Sequence, residues 1–216
     1  MRSYGQLCAL AKALDVIGDR WSLLIVRELL PGRPCRYTDL QHGLPGIATN
    51  MLADRLRQLE DTGIITRAFA PPPVATTVFT LTERGLDLLP VIRELARWGA
   101  PLLADASDDD AFRSGWMVLL FDIFYRDPQP GQPPVTIQIR TADEPMVLTT
   151  GAGKVHARPG TATNPDATLT GPPKVIADVF SGRLTLAQAR HRGLHIDGDP
   201  AALTRIRPAA PTPVRP

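Results

Sequence analysis

Between residues 46 and 65 the apolar side chains Ile47, Leu52, Leu56 and Leu59 recur at helical spacing, while Thr49, Asn50, Ala53 and Arg57 fall on the other side. The pattern predicts an amphipathic helix whose wet face is short-chained at its start and basic further on. Gly63 stands where such a helix closes in a left-handed turn, and the β-branched pair Ile64 and Ile65 then opens an extended segment. Upstream, Leu7, Leu10, Ala11, Leu14 and Ile17 predict a first helix over residues 7–17 that Gly18 ends. A second helix is predicted over residues 20–30, capped by Asp19. Its face of Trp21, Leu24, Ile25 and Leu29 is wide enough to make it the central core helix. Pro31, Gly32 and Pro34 stop it, residues 37–43 form a brief helix, and Leu44, Pro45 and Gly46 turn the chain into the amphipathic one.

After Ile65, three prolines at 71–73 separate two extended stretches, the second alternating through Thr77, Val78, Phe79, Thr80 and Leu81. A β-hairpin follows, with the form of a wing. Thr82 and Glu83 then open one long helix bearing Leu86, Leu89, Ile92, Leu95, Ala96 and Trp98, kinked at Pro90. A stripe so wide at the edge of a small domain predicts a partner helix. Residues 105–110 form an acidic joint between domains, and the grammar changes beyond it. The run from 116 to 125 is apolar throughout, so periodicity leaves helix and buried strand open. Short strands are predicted at 135–140, 146–150, 154–158 and 167–170, and helices at 173–180 and 185–192. A strand-helix at 194–206 completes an α+β module, and residues 208–216 are read as a disordered proline-rich tail.

A chain of 216 residues with 44% apolar content supports two domains, each with its own core. The formal charge of +2 does not itself indicate a nucleic-acid partner, so any basic face must be local. Cys8 and Cys35 lie far apart without an export signal, and no apolar run reaches membrane-spanning length. The expectation is a cytoplasmic protein with reduced thiols and no membrane partner.

The first hundred residues resemble the HxlR-type winged helix-turn-helix regulators of bacteria. The resemblance rests on Cys8, Ile17-Gly18-Asp19-Arg20-Trp21, Leu44-Pro45-Gly46-Ile47, Asp54-Arg55-Leu56, Leu81-Thr82-Glu83-Arg84-Gly85 and Arg97-Trp98-Gly99. It implies a homodimer joined through its terminal helices, with two recognition helices in successive major grooves of a two-fold operator. One departure is Ala9 after Cys8, where many members carry proline. The second half is similar to sterol-carrier-protein-2-like domains through Asn164-Pro165-Asp166-Ala167-Thr168-Leu169, Phe180-Ser181-Gly182-Arg183-Leu184, Ala187-Gln188-Ala189 and Gly198-Asp199-Pro200. That resemblance implies helices layered on a curved sheet around an apolar tunnel, and it turns the 116–125 run into a helix. The fold class is then α+β: a winged helix-turn-helix domain at 1–104, a linker at 105–110 and an SCP2-like domain at 111–207.

DNA recognition needs cations for phosphates and short polar side chains for base edges. Thr49 and Asn50 open the recognition helix, where free backbone N–H groups and the positive dipole end also lie. Arg55 and Arg57 follow on it, Arg36 belongs to the supporting helix and Arg67 enters the wing. Cys8 is a candidate redox thiol, with packing in an apolar-period helix as the commoner role of such a residue. Trp116, Leu120, Phe121, Phe124, Val179, Phe180 and Leu184 are candidate ligand-pocket residues, and ordinary core packing explains each equally well. His191 and His195 have no further ligands in pattern, so no metal is expected. Gly151-Ala152-Gly153-Lys154 lacks the rest of a phosphate loop and reads as a hairpin turn. No nucleophile elbow or carboxylate pair calls for catalysis or a cofactor. The leading reading is a DNA-binding transcriptional regulator whose second domain binds an apolar small-molecule effector. The alternative is a lipid-binding protein that keeps the winged helix only for dimerisation.

Overall fold

The computed structural model describes residues 3–105 and 110–209, and the chain divides into two compact units, Met1–Ala106 and Ser107–Pro216. Most of the expected linker, 106–109, lies outside the described residues.

In the first unit, α1 (Ala9–Ile17), α2 (Ser22–Leu29), β1 (Cys35–Arg36), α3 (Tyr37–Gly43) and α4 (Thr49–Asp61) lead into β2 (Ile65–Ala70) and β3 (Thr76–Leu81). Ile25, Val26 and Leu29 of α2 are buried together with Leu40, Leu44, Ile47, Leu52, Leu56, Leu59 and Ile64. Full burial of each such side chain contributes roughly 1.5–3 kcal/mol. Asp19 does not cap α2. Trp21 occupies the cap position without a side-chain bond, and Leu24 points outward. The end of α4 is a Schellman turn: Gly63 sits at φ +70°, its N–H donates to Glu60 O at 2.9 Å, and Ile64 N–H donates to Leu59 O at 2.8 Å. The three strands run in the order β1-β3-β2, all antiparallel.

The long helix expected after Thr82 is two helices, α5 (Glu83–Leu86) and α6 (Leu89–Gly99), continued by a 3-10 helix at Ala100–Asp105. Pro90 lies in the first turn of α6, where its missing N–H would have no helical partner anyway, so it starts a helix and kinks none. Thr82 caps α5 by accepting Gly85 N–H, and its hydroxyl also donates to Gly63 O at 2.6 Å. A Cβ on Gly85 would stand 2.2 Å from Ile64 O, so glycine is required there.

The second unit begins with α7 (Ser114–Phe124), so the apolar run is helical until Tyr125 opens β4 (Tyr125–Arg126). Next come β5 (Thr136–Arg140), β6 (Met146–Gly151), β7 (Lys154–Pro159) and β8 (Ala167–Thr170). The remaining elements are α8 (Pro173–Phe180), α9 (Leu186–His191), β9 (His195–Gly198), a 3-10 helix (Pro200–Arg205) and β10 (Arg207–Pro208). The seven strands are ordered β10-β4-β7-β6-β5-β8-β9, with β5 and β8 parallel and the other neighbours antiparallel. Between β6 and β7, Ala152 and Gly153 both have positive φ, which makes the expected tight hairpin turn. The tail expected from 208 starts later, because Pro208 pairs with Tyr125 in the sheet, and residues 210–216 lie outside the described ones. Met117, Phe121, Ile137, Ile139, Leu148, Leu169, Ile176 and Phe180 form the core of this unit. Beside it Arg205 clasps the buried Asp127 in a two-pronged ion pair at 2.9 and 2.7 Å, and donates further to Pro133 O and Gln129 O. Among the described residues no helix is long and apolar enough to cross a membrane.

Candidate functional site

The first turn of α4 is held by α3. Tyr37 hydroxyl donates to Thr49 O at 2.7 Å and Gln41 Nε2 donates to Thr49 Oγ1 at 3.2 Å. Thr49 and Asn50 are exposed on that turn, which carries no acidic side chain to oppose an incoming phosphate. Asn50 Oδ1 accepts Met51 N–H at 2.9 Å and leaves the amide nitrogen outward as a donor. Met51 is also exposed, an apolar neighbour for a base methyl that the helical period alone did not single out.

Arg57 keeps a side chain 69% exposed, tied among the described residues to Asp54 at 3.2 Å. An exposed pair of this kind contributes about 0.5 kcal/mol, so the guanidinium is available to a stronger anion. Arg67 stands on β2 with its Nε 3.1 Å from Glu60 Oε1 at the end of α4. Arg36 is exposed just ahead of α3 rather than on it, its backbone N–H donating to Asp39 Oδ2 at 2.8 Å. Thr49, Asn50, Arg57, Arg36 and Arg67 are thus exposed on the helix-turn-helix and its wing.

Arg55 departs from the expectation. Its side chain is only 14% exposed and forms an ion pair with Asp19. The reason lies in the turn of the helix: position 55 faces α1 and the Gly18–Asp19 corner, where it lines a polar recess of about 420 Å³ with Tyr4, Asp15 and Gln58. Tyr4 N–H and the Ser3 hydroxyl, both donating to Asp15, hold that carboxyl below the usual range. Arg55 therefore fastens α4 to the Gly18–Asp19 corner that follows α1 and does not face outward.

Within the single chain Cys8 is exposed at the position preceding α1 and is not packed in the core, whereas Cys35 is buried. The expected apolar stripe of the last helix is open to solvent at Val91, Leu95 and Trp98, the last 76% exposed, and Leu7, Leu10 and Leu14 of the first helical region are exposed as well.

In the second unit the expected pocket lining is split. Val179, Phe180 and Leu184 line a cavity of about 220 Å³ together with Gly182, Leu186, Leu203 and Arg207. Phe121 instead packs edge-on against Phe180, with ring centroids 4.9 Å apart, and is core. Trp116, Leu120 and Phe124 are half-buried on α7 and do not line the cavity. Residues on one apolar helix point several ways round its axis, which a continuous run conceals. The volume falls below the roughly 300–1,000 Å³ usual for ligand pockets. Nearby, burial pushes the Tyr125 hydroxyl above its usual range, and the Arg205 guanidinium holds Asp127 below its own.

Two family models match the chain: HxlR-like helix-turn-helix over residues 16–107, and the SCP-2 sterol transfer family over residues 132–210. An HTH-type transcriptional regulator of Synechocystis is 34% identical over 111 residues, which is 51% of this chain and 82% of the relative. The HTH-type transcriptional regulator YodB of Bacillus subtilis is 36% identical over 86 residues, 40% of this chain and 76% of YodB. The solved reduced form of YodB aligns with a TM-score of 0.40 at 30% identity, covering 47% of this chain and all of that one.

Proposed function

Because the chain belongs to the HxlR-like helix-turn-helix family of transcriptional regulators, we propose that it binds a two-fold operator as a homodimer and answers to an apolar effector held in its second unit. The observation that carries this reading is the exposed set Thr49, Asn50 and Arg57 on α4, flanked by Arg36 and the wing residue Arg67. Thr49 and Asn50 address base edges, and the three arginines address phosphates. The open apolar side chains of α1 and α6 supply the dimer contact, since several exposed large apolar residues on one helix face suit association. Residues 1–104 act as the DNA-binding and dimerisation domain and 111–207 as the effector domain, joined through 105–110.

The cavity at Val179, Phe180, Leu184 and Leu203 takes the effector, and it must widen to admit a lipid-sized one. A ligand alters operator affinity only through unequal affinity for two arrangements of the dimer, so coupling appears in both directions. Selection of genomic fragments on the purified protein, followed by titration with and without cell lipid extract, tests the proposal. It expects a two-fold site, loss of binding in Asn50→Ala and Arg57→Ala, and a shift of affinity with extract. Binding that persists in both variants removes the interface; affinity indifferent to extract removes the effector.

A further inference from the structure

Phe69 is 70% exposed near the outer end of the wing. A lone exposed apolar side chain is ordinary on a protein surface. Its position is what distinguishes this one. In the β2–β3 ladder Ile65 faces Leu81, Arg67 faces Phe79, and Phe69 faces Thr77. Alternate residues of a strand share a face, so these six side chains lie on one side of the hairpin. At the base that side is core, with Ile65 buried, and Phe79, opposite Arg67, is buried too. Two residues further out it carries Arg67, beside Glu60 at the end of α4. Two residues beyond that it carries Phe69, mostly exposed, opposite the small, exposed Thr77. The ladder runs unbroken to Ala70 and Thr76, and Val74 and Ala75 N–H groups close the tip onto Pro71 O. The support is therefore hydrogen-bonded out to its tip. Between Asp61 and Glu83 the only charged residue is Arg67. A hairpin with no acidic residue of its own, carrying one cation that a phosphate could take over from Glu60 and one ring on the same side, is complementary to a polyanion, and a flat aromatic suits the gap between stacked bases.

We propose that Phe69 is a wedge that enters the minor groove flanking each recognition-helix site, parts one base step and bends the duplex, with Arg67 on the adjacent phosphate. This rests on the DNA-binding reading above. Apolar wedges of this kind kink DNA by roughly 20–90° and favour flexible pyrimidine–purine steps, so the wing selects sequence without hydrogen bonds to bases.

The test uses the full-length protein and the duplex recovered by selecting random-sequence DNA on it, carrying a dye at each end. Wild type is expected to shorten the end-to-end distance by energy transfer. Phe69→Ala loses that shortening and binds about tenfold more weakly with an unchanged salt slope, while Phe69→Leu keeps most of both. Since the ring is exposed, both variants should keep the wild-type melting temperature. A duplex left straight by wild type, or bent equally by Phe69→Ala, overturns the wedge while steep salt dependence leaves the DNA reading standing. A Phe69→Ala protein that changes its sedimentation overturns it in favour of a second copy covering the ring. Loss of salt-dependent binding in wild type itself sinks both.

Discussion

Replacing Arg57 by alanine separates a phosphate ligand from a merely solvated arginine. The side chain is 69% exposed and bound among the described residues to Asp54 three residues away, so the fold should change by no more than about 0.5 kcal/mol. Its effect on DNA binding should be much larger. Arg36, Arg57 and Arg67 are the exposed cations assigned to the interface, which makes six per dimer. If each neutralises one phosphate, the logarithm of the binding constant falls against the logarithm of salt with a slope of about −5.4. Removing Arg57 from both protomers brings the slope to about −3.6. Over a roughly fourfold rise in salt, wild type then loses about 2,000-fold in affinity and the variant only about 150-fold. Fluorescence anisotropy of a labelled operator duplex, titrated at several salt concentrations, reads both slopes directly, and Arg57→Lys should restore the wild-type value. An alanine variant that binds more weakly along an unchanged slope would show that Arg57 does not meet a phosphate. A wild-type slope near zero would remove the whole set.

Other outcomes follow from the two units. In native protein a thiol-reactive dye should label one cysteine per chain quickly, the exposed Cys8, and the buried Cys35 only after unfolding; two fast thiols would contradict the packing of β1. Loss of operator binding on mild oxidation that Cys8→Ser escapes would give that exposed thiol a sensing role. Trp98→Glu together with Leu95→Glu should turn the dimer into monomers by sedimentation while the circular dichroism stays native, because both side chains are already exposed within one protomer. Asp127 has a carboxyl depressed by Arg205, so the stability from this pair is complete above the unfolded value near about 3.9 and is lost as pH falls through the lower folded one. Urea midpoints of Asp127→Asn should be lower at neutral pH and should lose that acid-side decline. Unchanged midpoints would mean the clasp adds nothing.

How much could be read from the residues depended on whether a signal was local. The bounds of α3, α8 and β8 were legible because caps, prolines and period coincide there, and Gly63 announced its left-handed turn. β1, β4 and β10 have two residues each and exist only through their partners, so no periodicity could reveal them. Arg205 and Asp127 are 78 residues apart and each looks like a surface charge until the fold brings them together. Arg55 and Arg57 were equally plausible contacts, because helical period states which side a residue takes but not what lies against it. The placement of α1 decided between them. The aromatic residues of the second unit were ambiguous for the same reason, since core and cavity wall call for the same side chains.

The close approach of Gly85 to Ile64 O has a mechanical meaning. Thr82 is bonded to Gly63 O, Arg84 Nη1 reaches Thr62 O at 3.0 Å, and Gly85 leaves no room between α5 and the turn that ends α4. The start of the last helical segment and the tail of the recognition helix are thereby clamped as one piece. A rotation imposed on α5 should therefore be passed to the end of α4 rather than taken up in the turn between them. In the proposed dimer, a signal entering through that segment would swing α4 as one lever, and its readout would be the angle and span between the two levers.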